Sequence, residues 1–151
     1  MEETPTQVNV PTGHPLRLKD KVVIITGAGG AIGLETSARL LQDGARLSLV
    51  DISLEALQSA VTELSKSIEG NFEDRIISFV ADVTSESDTE AFVSGTVKQF
   101  GRLDGAFLNA GISYSATSIF ETTAEDYERV MRVNVKSGKQ SLIPVHVMMK
   151  C

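Results

Sequence analysis

A glycine-rich segment near the N-terminus carries the clearest chemical signal in this sequence. The apolar, β-branched run at 21–26 leads directly into Gly27, Gly29, Gly30 and Gly33, and an amphipathic helical pattern follows. In such a strand–turn–helix unit, the backbone N–H groups of the turn and the positive end of the helix dipole face one point, where a phosphate binds. The segment therefore predicts a site for the phosphates of a nucleotide. Its other candidate residues are Thr26, Ala31 and Ile32.

A carboxylate ends the second apolar run. Asp51 follows the run at 46–50, close to the spacing of about 20 residues from the glycines that is expected of a ribose-binding acid. A carboxylate here can accept hydrogen bonds from both ribose hydroxyls and repels a 2′-phosphate, and no Arg or Lys occurs between Ile52 and Glu55. These residues favour NAD(H) over NADP(H), with Ile52 beside the nucleotide. The alternative is that Asp51 only caps the next helix, where aspartate is favoured.

Asp82 follows the third apolar run, at 76–81. Its carboxylate is placed to accept a hydrogen bond from an adenine amino group while Val83 covers the edge of the ring. Aspartate in this position also bonds its own turn, or caps the helix that we expect to begin near Ser85. The residues alone leave both interpretations open.

The fourth apolar run, at 104–109, ends in Asn109, Ala110 and Gly111. Small residues after a buried strand allow a flat cofactor to lie against the backbone, and an asparagine amide can link neighbouring strand ends. An ordinary turn also favours Asn and Gly, so this signal is weak by itself.

An alternation of strand and helix patterns separates these features. The four apolar runs are short and continuous, as expected of parallel strands that are buried on both faces. After the second run, Leu54, Leu57 and Val61 recur on one helix face, and a fourth helix is expected to begin at Thr122 with a capping box to Glu125. The alternation predicts an α/β fold: a Rossmann-type doubly wound parallel sheet of about four strands, which extends to the fourth helix.

Composition narrows the class of protein. The 151 residues carry 14 basic and 20 acidic side chains, a net charge of −6, without a Lys/Arg cluster. Nucleic acid and an anionic membrane surface are therefore not expected partners. No apolar stretch approaches the ~20 residues of a membrane span, and the N-terminus has no signal-peptide pattern. The single cysteine, Cys151, precludes an internal disulfide, so we expect a cytoplasmic protein.

Together these motifs resemble those of the short-chain dehydrogenase/reductase family, from about Leu18 to Ser137. The resemblance implies that the glycine turn, Asp51 and Asp82-Val83 hold the pyrophosphate, ribose and adenine of a nicotinamide dinucleotide, and that the segment after the fourth run supports the sheet beside the cofactor. Ala31 departs from the family's middle glycine, so its methyl group is expected to crowd the pyrophosphate. The matching residues are Thr26-Gly27-x-x-x-Ala31-x-Gly33, Asp51, Asp82-Val83, Asn109-Ala110-Gly111 and Val133-Asn134.

Catalysis in that family uses residues that this sequence contains only in part. Asn134 matches an asparagine of the catalytic group, which positions a water in a proton relay. The family's serine and Tyr-x-x-x-Lys motif have no match, because Tyr114 is followed four residues later by Ser118, and Tyr127 by Met131. The resemblance therefore implies an oxidoreductase that transfers hydride between NAD(P) and a small-molecule alcohol or ketone, here represented by its cofactor-binding half. We expect the chain to be inactive by itself.

Three segments are predicted along the chain. Residues 1–19 contain three prolines and lack periodicity, which indicates a flexible leader. Residues 20–137 form the dinucleotide-binding half domain. Residues 138–151, where Gly138 and Pro144 interrupt the helical pattern, form a tail outside the family. The fourth strand would present an unpaired edge in such a half domain, so we expect homo-oligomerisation or aggregation.

Two alternatives remain open. One is a dinucleotide-binding module without catalytic function, which has the same fold and differs in activity only. The other is an S-adenosylmethionine-dependent methyltransferase, which also uses a glycine turn and acids after its second and third strands. The segments Asn109-Ala110-Gly111 and Val133-Asn134 favour the dehydrogenase family over the methyltransferase.

Overall fold

The computed structural model describes residues 16–67, 73–114 and 118–139. Strands and helices alternate through them as the apolar pattern predicted, and each strand lies within one residue of its predicted bounds. The strands are β1 (Val22–Thr26), β2 (Arg46–Asp51), β3 (Ile76–Val80) and β4 (Gly105–Leu108), and the helices are α1 (Ala31–Gln42), α2 (Leu54–Ser67), α3 (Glu86–Phe100) and α4 (Ala124–Met131).

The four strands form one parallel sheet in the order β3-β2-β1-β4. In the register of this sheet, Ile25 of β1 pairs with Leu49 of β2 on one side and with Phe107 of β4 on the other. The chain first adds strands on one side of β1 and then crosses to the opposite side. The carboxyl ends of β1 and β4 therefore flank the switch point at which open α/β sheets bind ligands. The predicted doubly wound fold is confirmed.

The central strands are buried on both faces. Ile25 and Leu49 lie in a buried cluster with residues of α1 and α2. Ile24 and Val50 point to the opposite face and pack with Phe92 of α3. Because side chains alternate between the two faces of a strand, a strand covered on both sides needs apolar residues throughout, which explains the continuous runs.

The ends of the described chain extend the folded part slightly. Of the predicted leader, residues 16–19 form turns, and Leu18 N–H donates to the carbonyl of Asp43 at 2.8 Å. Residues 1–15 lie outside the described residues. At the other end Gly138 and Lys139 are still helical, and the rest of the predicted tail, 140–151, also lies outside the described residues.

Helix α4 begins one residue later than predicted. Its N-cap is Thr123, whose side chain accepts from the N–H of Asp126, while the Asp126 carboxylate accepts from the N–H of Thr123. The sequence contains two overlapping patterns, Thr122 with Glu125 and Thr123 with Asp126, and the backbone enters the helix at the second. After α4 the chain makes a π-helical turn at Arg132–Lys136.

Both outer strands of the described sheet, β3 and β4, have an open edge and carry an exposed apolar side chain. No strand among the described residues pairs with the outer edge of β4, where 38% of Phe107 is exposed. Association through this edge stays a prediction. None of the described helices combines the length and apolar character that a membrane span requires.

A charged cluster lies at the end of the sheet opposite the glycine turn. Asp104 accepts hydrogen bonds from the backbone N–H of Val22 at 2.9 Å and from Lys21 Nζ at 3.0 Å, and it also pairs with the guanidinium of Arg102. The hydrogen bonds from Arg102, with those from Val22 and Lys21, hold the pKa of Asp104 well below its usual range. The cluster therefore ties the start of β4 to the start of β1.

We predict that Asp104→Asn lowers the free energy of unfolding at pH 7 by ~1 kcal/mol, since the amide loses the charge that Arg102 and Lys21 face. The folded-state pKa of Asp104 lies below its unfolded value, so its stabilising contribution is complete above about pH 4 and declines as the pH falls further. Urea unfolding of both proteins at pH 7, 5 and 2 measures this difference. A stability gap that stays constant from pH 5 to pH 2 would contradict the prediction.

Candidate functional site

In the turn between β1 and α1, the backbone packs closely against α1 and against the segment after β4. Gly27 has φ +66°, in the left-handed region, and a Cβ added there would lie 2.9 Å from the Cα of Ala110. A Cβ added to Gly33 would lie 2.2 Å from the carbonyl oxygen of Gly27. Both positions require glycine, because any larger residue would displace the turn from the first turn of α1 or from the segment after β4.

The N-terminus of α1 differs from those of the other described helices. Its N-cap is Gly30, which offers no side-chain acceptor, and its first turn contains no acidic residue. Ser53, Ser85 and Thr123 each accept a backbone N–H at the start of α2, α3 and α4. The N–H groups at the start of α1 therefore lack the side-chain partners that the other helices have. An external anion suits this position.

Asp51 lies directly against the glycine turn. Its Oδ2 accepts a hydrogen bond from the backbone N–H of Gly29 at 3.0 Å, and its Oδ1 accepts from the N–H of Ser53 at 3.1 Å. The capping of α2 is performed by Ser53, whose hydroxyl accepts from the N–H of Ala56. Ile52, the next candidate, is 69% exposed at the rim of the site. The ribose-binding acid predicted from the sequence is thus held beside the candidate phosphate site.

Asn109 links the ends of β4 and β1. Its Nδ2 donates to the carbonyls of Thr26 and Gly27, both at 3.3 Å. In the same contact, the N–H of Ala110 donates to the hydroxyl of Thr26 at 3.1 Å. These bonds hold the segment after β4 against the glycine turn, as expected of an amide that links two strand ends.

Asp82 bonds to its own turn, which is one of the two interpretations that its position allowed. Its Oδ1 accepts from the N–H and from the hydroxyl of Thr84, both at 2.8 Å. Its Oδ2 has no hydrogen-bond partner among the described residues. One carboxylate oxygen therefore stabilises the loop and the other is free of protein partners in the described part of the chain, while the neighbouring Val83 is buried.

Asp88, which sequence reasoning missed, lies in the first turn of α3 and reaches the same loop through its carboxylate. Its Oδ2 accepts a hydrogen bond from the backbone N–H of Asp82 at 2.9 Å. An acidic residue three positions after the N-cap Ser85 is a sequence signal for a helix start, and that signal is present here. It does not reveal that the carboxylate reaches back beyond the cap.

Asn134 lies in the π-helical turn and is joined to the segment after β4. Its Oδ1 accepts from the N–H of Ile112, and its Nδ2 donates to the carbonyl of Ile112, each at 2.8 Å. A Cβ added to Gly111 would lie 3.4 Å from Asn134 Oδ1, which shows how closely the two segments approach. The side chain of Asn134 thus joins the π-helical turn to the segment after β4, and each of its two polar atoms can make one further hydrogen bond. Such π-helical turns frequently occur at functional sites.

The polar side chains around this site are acidic or neutral. Asp51 and Asp82 contribute carboxylates, and no Lys or Arg occurs in the strand-end segments 26–33, 51–54, 81–84 and 109–112. A separate groove of about 330 Å³ lies between α2 and β3, lined by residues such as Leu57 and Val61, and its largely apolar lining does not suit a phosphate.

The comparisons with known proteins agree with this geometry. The sequence model of the short chain dehydrogenase family matches residues 21–144, which includes part of the segment that we predicted to lie outside the family. Levodione reductase of Leifsonia aquatica is 41% identical over 123 residues, which are 80% of this chain and 44% of that protein. The 2-(R)-hydroxypropyl-CoM dehydrogenase of Xanthobacter autotrophicus is 33% identical over 129 residues, 82% of this chain and 50% of that protein.

Solved structures give the same result. The crystal structure of levodione reductase superimposes with a TM-score of 0.81 at 36% identity, covering 89% of this chain and 51% of the other. NAD+-bound xylitol dehydrogenase superimposes with a TM-score of 0.79 at 33% identity, covering 88% and 49%. The chain therefore spans about half the length of the relatives that it matches. The family match, the sheet order and the glycine turn lead to one conclusion: this chain belongs to the short-chain dehydrogenase family.

Proposed function

We propose that residues 20–137 form the cofactor-binding half of an oxidoreductase that transfers hydride between a nicotinamide dinucleotide and a small-molecule alcohol or ketone. One observation carries the proposal: the α1 N-terminus has no side-chain cap and no acid, and it lies in a glycine turn against which Asp51 is hydrogen-bonded. That arrangement offers N–H donors to a pyrophosphate and a carboxylate to the adjacent ribose.

The proposed roles follow the order of the strand ends. Residues 26–33 hold the pyrophosphate. Each oxygen of Asp51 accepts one hydrogen bond from the protein, which leaves lone pairs for the ribose hydroxyls. Asp82 Oδ2 accepts the adenine amino group beside Ile52, and the small exposed part of Val83 covers the edge of the ring. Asn109, Ala110 and Gly111 are proposed to support the central sheet beside the cofactor.

NAD(H) is the proposed cofactor in preference to NADP(H). A 2′-phosphate on the ribose would meet the Asp51 carboxylate, and the neighbouring segment 52–55 supplies no cation to offset the repulsion. Two relatives support the cofactor class, since xylitol dehydrogenase has been solved with NAD+ bound and a 3-ketoacyl-(acyl-carrier-protein) reductase has been solved in complex with NADH.

For the reaction itself, the chain supplies a partial set of groups. The bound dinucleotide would supply or accept the hydride. Asn134, held by Ile112, is proposed to position a water for proton transfer. Because neither Tyr114 nor Tyr127 is followed by a lysine at the fourth position, we propose that this 151-residue polypeptide binds the cofactor and does not turn over substrate alone. Family membership leaves no support for the methyltransferase alternative.

We predict that Asp51→Ala lowers the affinity for NADH at least tenfold, because the ribose hydroxyls lose their acceptor, and that it reduces the preference for NADH over NADPH. Titration followed by nicotinamide fluorescence measures both affinities. Asp74→Ala, which removes an exposed carboxylate before β3, serves as the control and should bind as the native chain does. Unchanged NADH affinity in Asp51→Ala would exclude the ribose role.

We also predict that Gly33→Ala abolishes NADH binding and destabilises the fold by about 1–3 kcal/mol, since its Cβ would overlap the Gly27 carbonyl. The control is Gly138→Ala, whose added Cβ meets nothing within 4 Å. Thermal unfolding and NADH titration of the two variants should differ sharply. Native-like binding in Gly33→Ala would show that the turn is not packed as described.

A further inference from the structure

We propose that Asp88 is a positioning residue for the adenine end of the site and acts through the backbone of Asp82. The inference deepens the proposed function and rests on it, because Asp82 is the residue proposed to bind the adenine amino group. Asp88 itself lies in the first turn of α3 and reaches the loop only through its carboxylate.

The N–H of Asp82 has no partner in the sheet. The preceding N–H, that of Ala81, donates to the carbonyl of Asp51 at 3.0 Å and forms the last bond between β3 and β2. Because successive N–H groups along a strand point in opposite directions, the N–H of Asp82 points away from β2. Asp88 Oδ2 accepts it at 2.9 Å, so this carboxylate supplies the acceptor that the sheet lacks.

A comparison within the chain shows that this contact is not simply a helix cap. Asp126 occupies the third position of α4 and bonds back to the N–H of its own N-cap residue, Thr123. Asp88 occupies the corresponding position of α3, yet its carboxylate passes the N-cap residue Ser85 and bonds to Asp82. The same residue type in the same helix position therefore stabilises a loop in one case and a helix end in the other.

The bond determines how Asp82 presents its carboxylate. The N–H of Asp82 is held by Asp88, its carbonyl accepts from the N–H of Ser85 at 2.9 Å, and its Oδ1 is held by Thr84. With three groups of the residue bonded, the direction of Oδ2 is set before a ligand arrives. Loss of the Asp88 carboxylate releases the backbone of Asp82 and should weaken recognition of the adenine amino group specifically.

The experiment measures the affinity of the 151-residue chain for two reduced dinucleotides by fluorescence titration. One is NADH, and the other is reduced nicotinamide hypoxanthine dinucleotide, in which hypoxanthine replaces adenine and the amino group is absent. The native chain is expected to prefer NADH about tenfold. In Asp88→Ala the preference should fall to about twofold, mainly through weaker NADH binding. Asp88→Asn retains an acceptor oxygen and should retain the preference, as should Asp126→Ala, which removes the equivalent acid of α4.

Hydrogen exchange of the Asp82 amide tests the bond without a ligand. The amide is expected to be protected in the native chain and in Asp88→Asn, and to lose its protection in Asp88→Ala.

In the titration, equal weakening of the binding of both dinucleotides in Asp88→Ala would assign Asp88 a purely structural role and overturn the inference. A native chain that binds both dinucleotides equally would overturn the adenine role of Asp82 and this inference, leaving the phosphate and ribose sites. A native chain that binds neither would overturn the proposed function as well.

Discussion

The contact between the Gly33 position and the Gly27 carbonyl is the constraint on which the rest of the site depends. The absence of a Cβ there lets α1 begin directly beneath the turn that leaves β1. The N-cap of this helix provides no side-chain acceptor for the backbone N–H groups of the helix start, which suits an external anion. A larger residue would separate helix from turn and remove the geometry that favours an anion.

The turn is also the point at which the neighbouring strand ends meet. Asp51 bonds to the N–H of Gly29, and Asn109 bonds to the carbonyls of Thr26 and Gly27. These residues are far apart in the sequence, and the parallel register brings them together because the carboxyl ends of all strands lie at one edge. At the opposite ends of the strands, the charged cluster around Asp104 links β4 to β1 in a similar way. The candidate site is thus one hydrogen-bonded unit that includes the ends of β1, β2 and β4.

Sequence patterns predicted the elements more fully than the contacts between them. The continuous apolar runs located all four strands. Burial on both faces explains the apolar runs of β1 and β2, whereas β3 and β4 are partly exposed, contrary to the expectation from the sequence. Helix α4 begins one residue after its predicted start, because two capping patterns overlap at Thr122 and Thr123. The residue types do not distinguish these patterns, and the backbone enters the helix at the second. The link made by Asn109 was foreseeable from residue type and position. The bond from Asp88 to Asp82 was not, since it depends on the path of the loop.

The most direct test of the site is an NMR titration of the ¹⁵N-labelled chain with NADH. The largest changes in amide chemical shift are expected at residues 27–33, with further changes at Asp51, Ile52 and Val83, because these groups surround the proposed pyrophosphate, ribose and adenine. The groove between α2 and β3, including Val61, should change little. Largest changes in that groove, or none at residues 27–33, would contradict the assignment of the glycine turn as the cofactor site.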